Sequence, residues 1–142
     1  MDRIRIRKLK RSDFTEYYKN ELSYYKELEK DPTFGIGTYR KRLTKKDIKR
    51  SFSKLLKAMS SHKSIVLVAV NEKGNIVGMG ELNSNALPEA PHIADIGYSV
   101  VKEYRGKGIG TMIVKELLKR VKGKYEIVTA NTFSRNIVSK SF

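Results

Sequence analysis

Residues 93–122 read IADIGYSVVKEYRGKGIGTMIVKELLKRVK. Three patterns follow one another in this stretch. Ile93 to Val101 is apolar and β-branched, as a strand is, with Gly97 inside it. An interior glycine marks a bulge or the close approach of another molecule. Arg105-Gly106-Lys107-Gly108-Ile109-Gly110 is a glycine-rich turn carrying two cations. Ile109, Met112, Ile113, Leu117, Leu118 and Val121 then recur at helical spacing, and Lys122-Gly123 closes the helix. The first turn of a helix has N–H groups without internal partners and carries the positive end of the macrodipole. Glycines before it remove Cβ atoms and let a phosphate reach the main chain. Residues 105–111 therefore read as a phosphate or diphosphate cradle, with a tight ligand-free connection as the plainer alternative.

The segments on either side supply a sheet and its helices. Before residue 93, Ile65 to Val70 is a buried strand, Asn71 to Asn75 a turn rich in residues that tolerate positive φ, and Ile76 to Leu82 a second strand, so the pair reads as a hairpin. Asn83 to Pro91 is a loop. Farther upstream, Ile4 and Ile6 alternate with Arg3, Arg5 and Arg7, the period of a half-buried strand. Ser12 or Asp13 can cap a helix whose apolar stripe is Phe14, Tyr18, Leu22, Tyr25 and Leu28, ending before Asp31-Pro32. Thr44, with Asp47 three positions on, caps a second helix with Ile48, Phe52, Leu55, Leu56 and Met59 on one face. Between them, residues 32–43 are irregular and hold Phe34, Ile36 and Tyr39, either a connector packed on the core or part of a substrate-binding lip. After the glycine turn and its helix come a strand, Tyr125 to Ala130, and a helix, Asn136 to Phe142. The order β-α-α-β-β-β-α-β-α, with a hairpin and a late β-α-β crossover, predicts one α/β domain over residues 1–142, built on a mixed, mostly antiparallel sheet flanked by helices.

Composition narrows the chemistry. The 142 residues include no Cys and only two His, which excludes disulfides, thiolate metal sites and a Cys nucleophile and leaves little for a metal centre. No apolar run approaches the roughly 20 residues that span a bilayer. The alternating start, Met1-Asp2-Arg3-Ile4-Arg5, has no signal-peptide core, so the expected location is cytoplasmic and away from membranes. Thirty Lys and Arg against 15 Asp and Glu give a net charge of +15, which attracts polyanions such as nucleic acid, a ribosomal surface or a phosphate-rich cofactor. Lysines that simply solvate the surface are the other reading.

Two phosphate-binding patterns fail on the glycine turn. The string G-x-x-x-x-G-K-[ST] does not occur, and the third glycine arrives one residue too early for a dinucleotide fingerprint, whose acid at the end of the next strand is also lacking. Val100 to Gly110 instead resembles the acetyl-CoA-binding motif of the GNAT superfamily of N-acetyltransferases, R/Q-x-x-G-x-G/A after a strand. Ile96-Gly97-Tyr98, and Arg3 to Arg7 with Asp13, are similar to the branch that acetylates protein N-termini. Asn136-x-x-Ser139-x-x-Phe142 resembles the family's next motif.

The resemblance implies roles for particular residues. Backbone amides of Gly106, Lys107, Gly108, Ile109, Gly110 and Thr111 would hold the CoA diphosphate, with Arg105 adding charge. Val100 and Val101 would pair with the pantetheine arm as an added strand does, Asn136 would contact that arm, and Gly97 would lie near the splay into which it inserts. The reaction would be direct attack of a primary amine, from a small molecule or a protein, with Glu81 or Asp95 as candidate base and His92 as an edge residue. The family's chains continue into a further strand pair and often place a Tyr just after the position of Phe142, where it can protonate the leaving thiolate. The resemblance therefore implies a domain incomplete at its C-terminal end, without an assigned general acid, and with apolar sheet surface through which two copies could pair as a homodimer. The competing function is a basic RNA- or ribosome-binding module without catalysis, which rests on charge and on Tyr as stacking partners, although most Tyr fall on the stripe of residues 14–28 and no RNA-motif string occurs.

Overall fold

The computed structural model describes residues 3–30, 44–83, 93–121 and 127–132. Five strands form one sheet in the order β1-β2-β3-β4-β5: β1 (Arg5–Lys8), β2 (Ser64–Val70), β3 (Ile76–Asn83), β4 (Ile93–Val100) and β5 (Ile127–Thr132). The first four run antiparallel to their neighbours, and β5 lies parallel to β4, from Ile93↔Ile127 to Tyr98↔Thr132. This is the mixed, mostly antiparallel sheet expected from the sequence. Of the strand expected at Tyr125 to Ala130, residues 125 and 126 lie outside the described residues, and β5 includes the rest. The helix expected at residues 136–142, with Asn136, lies outside the described residues, as do His92, most of the 83–91 loop and the irregular segment with Phe34, Ile36 and Tyr39.

β1 lies at one end of the described sheet. Its Ile6 packs inward, and Arg5 and Lys8 are exposed. The β2–β3 register shifts between Ala69 and Val70, a bulge beside the turn. The irregularity is there and not at Gly97, which pairs in step with Glu81 and with Asn131.

Helices α1 (Phe14–Lys30) and α2 (Lys45–Ser60) cover one face of the sheet, and α3 (Ile109–Arg120) covers the other. Thr44 caps α2 as its sequence predicts. Its hydroxyl accepts from the Asp47 N–H, and the Asp47 carboxylate accepts from the Thr44 N–H, each at 3.1 Å. These bonds hold the Asp47 carboxyl below its ordinary range. α1 is entered through a 3-10 turn, Arg11–Asp13. There Asp13 accepts from the Lys10 N–H at 2.7 Å and from both terminal nitrogens of Arg7 at 2.9 Å. Burial pushes the Asp13 carboxyl up, but the bonds from Arg7 and Lys10 outweigh it and hold the group low.

The apolar stripe expected on α1 is displaced. Tyr17 and Tyr24 are the buried residues, with Asn20 and Glu21 between them, while Phe14, Tyr18 and Leu22 are half-buried. The buried face is polar in part because each polar group finds a partner: Asn20 donates to the Ile76 carbonyl at 2.8 Å, and Glu16 accepts from the Ile76 N–H. Apolar periodicity does not mark such a face. On α3, Ile109, Ile113 and Leu117 are buried as expected, but Met112 is 40% exposed and does not belong to the core. Close seating of α3 depends on Gly78 and Gly80 in β3. A Cβ on Gly80 would lie 2.3 Å from Ile113 Cγ2.

Candidate functional site

The described pairing of β4 with β5 runs to Tyr98↔Thr132, and Thr132 is the last described residue of β5. Peptide groups of an antiparallel strand face its two neighbours alternately. Val101 N–H donates to the Val77 carbonyl of β3 at 2.9 Å, and the Val101 carbonyl accepts from Tyr104 N–H at 2.9 Å. Both Val101 groups are thus taken. The alternation turns the N–H and carbonyl of Val100 to the β5 side of the strand, where the carbonyl accepts from the Arg105 Nε at 2.8 Å. Of the two valines, only Val100 turns its N–H to that side. The sequence could not separate them, because facing depends on register and not on residue type.

The end of β4 leads into the glycine turn. Lys102–Tyr104 forms a 3-10 turn, closed by Arg105 N–H on the Lys102 carbonyl. Gly106 (φ +75°) and Gly108 (φ +82°) then adopt left-handed backbone, which side chains rarely tolerate. Nothing lies within 4 Å of the Cβ position at either, so the turn presents bare main chain. Gly108 is the N-cap of α3 and offers no side chain to it, and the first turn carries no acid. Among the described residues, no N–H group from 106 to 111 donates to another backbone or side-chain group outside regular structure. The donors of this helix start are open. Gly110 acts through close packing, since a Cβ there would sit 2.4 Å from Cε2 of Tyr98. Its absence lets α3 begin directly over Tyr98 of β4.

The two cations of the turn are used differently. Lys107 is exposed and stands over the Tyr104 ring at 5.0 Å. Arg105 faces inward. Its Nε donates to the Val100 carbonyl at 2.8 Å, and its terminal nitrogens hold Glu27 of α1 at 2.6 and 2.9 Å. The guanidinium thus ties the end of β4 to α1. Beneath it, Tyr24 is 4% exposed and shares a hydrogen bond with Ser99. Burial pushes its phenol up to about 12, against the opposing effect of the Ser99 bond, so it keeps its proton.

Glu81 pairs with Val66, which packs under α1 and α2, so its side chain is on that face of the sheet. Asn83 and, on β4, Asp95 share the face. Glu81 is opposite Gly97, three residues from Val100, or about 10 Å at the rise of a strand; Asp95 is five residues away, about 17 Å. Burial raises the Glu81 carboxyl above its ordinary range, partly offset by a bond to Asn83. Asp95 has a bonding partner of its own. Of the two candidate bases, Glu81 is the nearer. No group of three or more potential metal ligands occurs among the described residues, and none of their helices is long and apolar enough to cross a membrane.

Solved structures share this fold. The ribosomal-protein-S5-alanine acetyltransferase of Vibrio fischeri superposes with a TM-score of 0.69 at 19% identity, over 92% of this chain and 70% of that one. A RimL ribosomal L7/L12 alpha-N-protein acetyltransferase in complex with coenzyme A gives 0.70 at 11% identity, over 89% and 69%. An N-acetyltransferase from Staphylococcus aureus Mu50 gives 0.68 at 21% identity, over 90% and 72%. No curated protein is a significant match in sequence. The family model described as acetyltransferase (GNAT) family matches residues 6–142, nearly the whole chain and every element of the site above. The chain belongs to the acetyltransferase (GNAT) family.

Proposed function

We propose that the protein is an N-acetyltransferase that moves an acetyl group from acetyl-CoA to a primary amine by direct attack in a ternary complex. The observation that carries this reading is the meeting of two backbone surfaces: the uncapped donors of residues 106–111 and the Val100 N–H turned to the β5 side of its strand. The first suits a diphosphate, and the second suits the amide-bearing arm that joins it to a thioester. Bare glycines at 106 and 108 leave room for both. Acetyl-CoA, when bound, supplies the acetyl group in activated form.

The chain's own residues do the rest. The amides of 106–111 and the Lys107 ammonium hold the diphosphate. The Val100 N–H aligns the arm, and Arg105, which holds both the Val100 carbonyl and Glu27, fixes the angle of that strand end. Glu81 accepts the proton of the attacking amine, through water across the remaining distance. Its burial makes it a stronger base than an exposed carboxylate. A protein or peptide amine is the acceptor we favour, supported by the names of two of the similar structures and by the +15 charge.

Isothermal titration with CoA tests the cofactor half: saturable heat at micromolar to millimolar ligand is expected, and none at millimolar CoA overturns the reading. Thiol release from acetyl-CoA over a panel of amines tests the other half. Glu81→Gln should lower turnover by about 10²-fold or more while CoA affinity is unchanged.

A further inference from the structure

Beside the end of β4, α1 forms one wall of a groove whose charge the reaction itself does not use. Lys19, Lys26 and Lys30 follow one another at i, i+7 and i+11, which brings them within about 20° of one line along the helix. Lys102, from the turn after β4, faces them across the groove. All four are exposed, and among the described residues none is in an ion pair. The one carboxylate lining the groove, Glu27, is engaged by Arg105. Half-buried Tyr18 and Leu22 form part of the floor.

Four uncompensated ammonium groups around a partly apolar floor repel one another and attract an extended anion. We infer that this groove docks an acceptor peptide rich in Asp and Glu, guiding its amine toward the strand end at Val100. Two observations tie the groove to the site. Arg105 lines the groove and also bonds the Val100 carbonyl at 2.8 Å, so the groove ends where the thioester arm is proposed to lie. Lys102 is two residues beyond Val100 itself. A peptide fits better than single-stranded nucleic acid. Nucleic acid of that kind is held by successive aromatic platforms, whereas the single ring here, Tyr18, already carries the Lys45 ammonium at 5.5 Å. The direction of the peptide rests on the acetyltransferase reading, but its docking does not.

The test uses the whole chain without acetyl-CoA. The probe is an octapeptide with a free N-terminal Ala followed by Asp and Glu, labelled with fluorescein at its C-terminus. A second peptide carries Asn and Gln instead. Fluorescence anisotropy should show saturable binding of the acidic peptide, at least tenfold tighter than the neutral one and weakening as salt rises. The K19E/K26E variant should lose tenfold or more of that affinity and keep CoA affinity within twofold, which also reports that it folds. K49E/K54E, on the exposed side of α2, should bind as the parent does. Unchanged peptide affinity in K19E/K26E overturns the inference, and so does equal binding of the neutral peptide. A parallel loss of CoA affinity would give the groove to the coenzyme's phosphates instead. An oligo-uridine that binds more tightly than the peptide, and is lost in the same variant, would give it to RNA. If the parent protein fails to bind CoA at all, the acetyltransferase reading falls while the peptide measurement still decides the groove.

Discussion

α2 and α3 begin in opposite ways. α2 closes its own first turn: Thr44 and Asp47 exchange bonds, and an acid lies against the positive end of the helix. α3 starts from a left-handed glycine, with no capping side chain and no acid in its first turn. Both starts carry orphan donors. One set is satisfied by its own sequence, and the other waits for whatever anion arrives. A helix start left bare just beyond a strand end is a binding surface made of main chain, and its side chains serve mostly by being small.

Changes at the two helix starts should therefore separate stability from ligand affinity. The largest effect is expected for Gly110→Ala, whose Cβ would press on the half-buried Tyr98 ring. Overpacking of that kind costs about 1–3 kcal/mol of stability, and tilting α3 off Tyr98 should weaken CoA binding as well; urea denaturation and calorimetric titration read the two. Thr111→Asp converts α3 to the α2 arrangement. It should add roughly 0.3–1 kcal/mol of stability through the dipole and reduce CoA affinity about tenfold by occupying the open donors, so the two readouts move in opposite directions. Thr44→Ala is the mirror experiment. It should remove about 1 kcal/mol of stability and leave CoA affinity unchanged.

The smallest effect concerns Glu81 and is read in the pH dependence of stability. Burial raises its carboxyl, so the folded protein keeps that proton to higher pH than the unfolded chain does. Stability contributed at this position therefore falls as pH rises from the unfolded value through the raised folded one, then levels off. Glu81→Gln should abolish that decline and leave the protein at least as stable at neutral pH. Asp13 and Asp47, held low, give the opposite slope, with stability lost as pH falls. The readout is accordingly variant minus parent, by denaturation across about pH 4–7.

Much of the site is legible in the sequence because it is local. Gly106, Gly108 and Gly110 follow one strand and open one helix, and Thr44 with Asp47 spells a capping box. What escapes is non-local. Glu27 engages Arg105 across 78 positions of chain. Val100 and Val101 differ only in which neighbour their peptide groups face, and residue type does not encode that. Tyr17 and Tyr24 are hidden because Asn20 and Glu21 interrupt their apolar face. The glycine pair at 78 and 80 stands in plain view as an interruption of a strand, the one signal that could have shown how close α3 would come.

Among the described residues, β1 gives the sheet a short rim of four residues, bordered by exposed Arg3, Arg5 and Lys8. A neighbouring molecule seeking to share backbone hydrogen bonds there meets like charge before it meets peptide groups. Edge-on stacking into fibrils is disfavoured along that rim, and the protection weakens as added salt screens it.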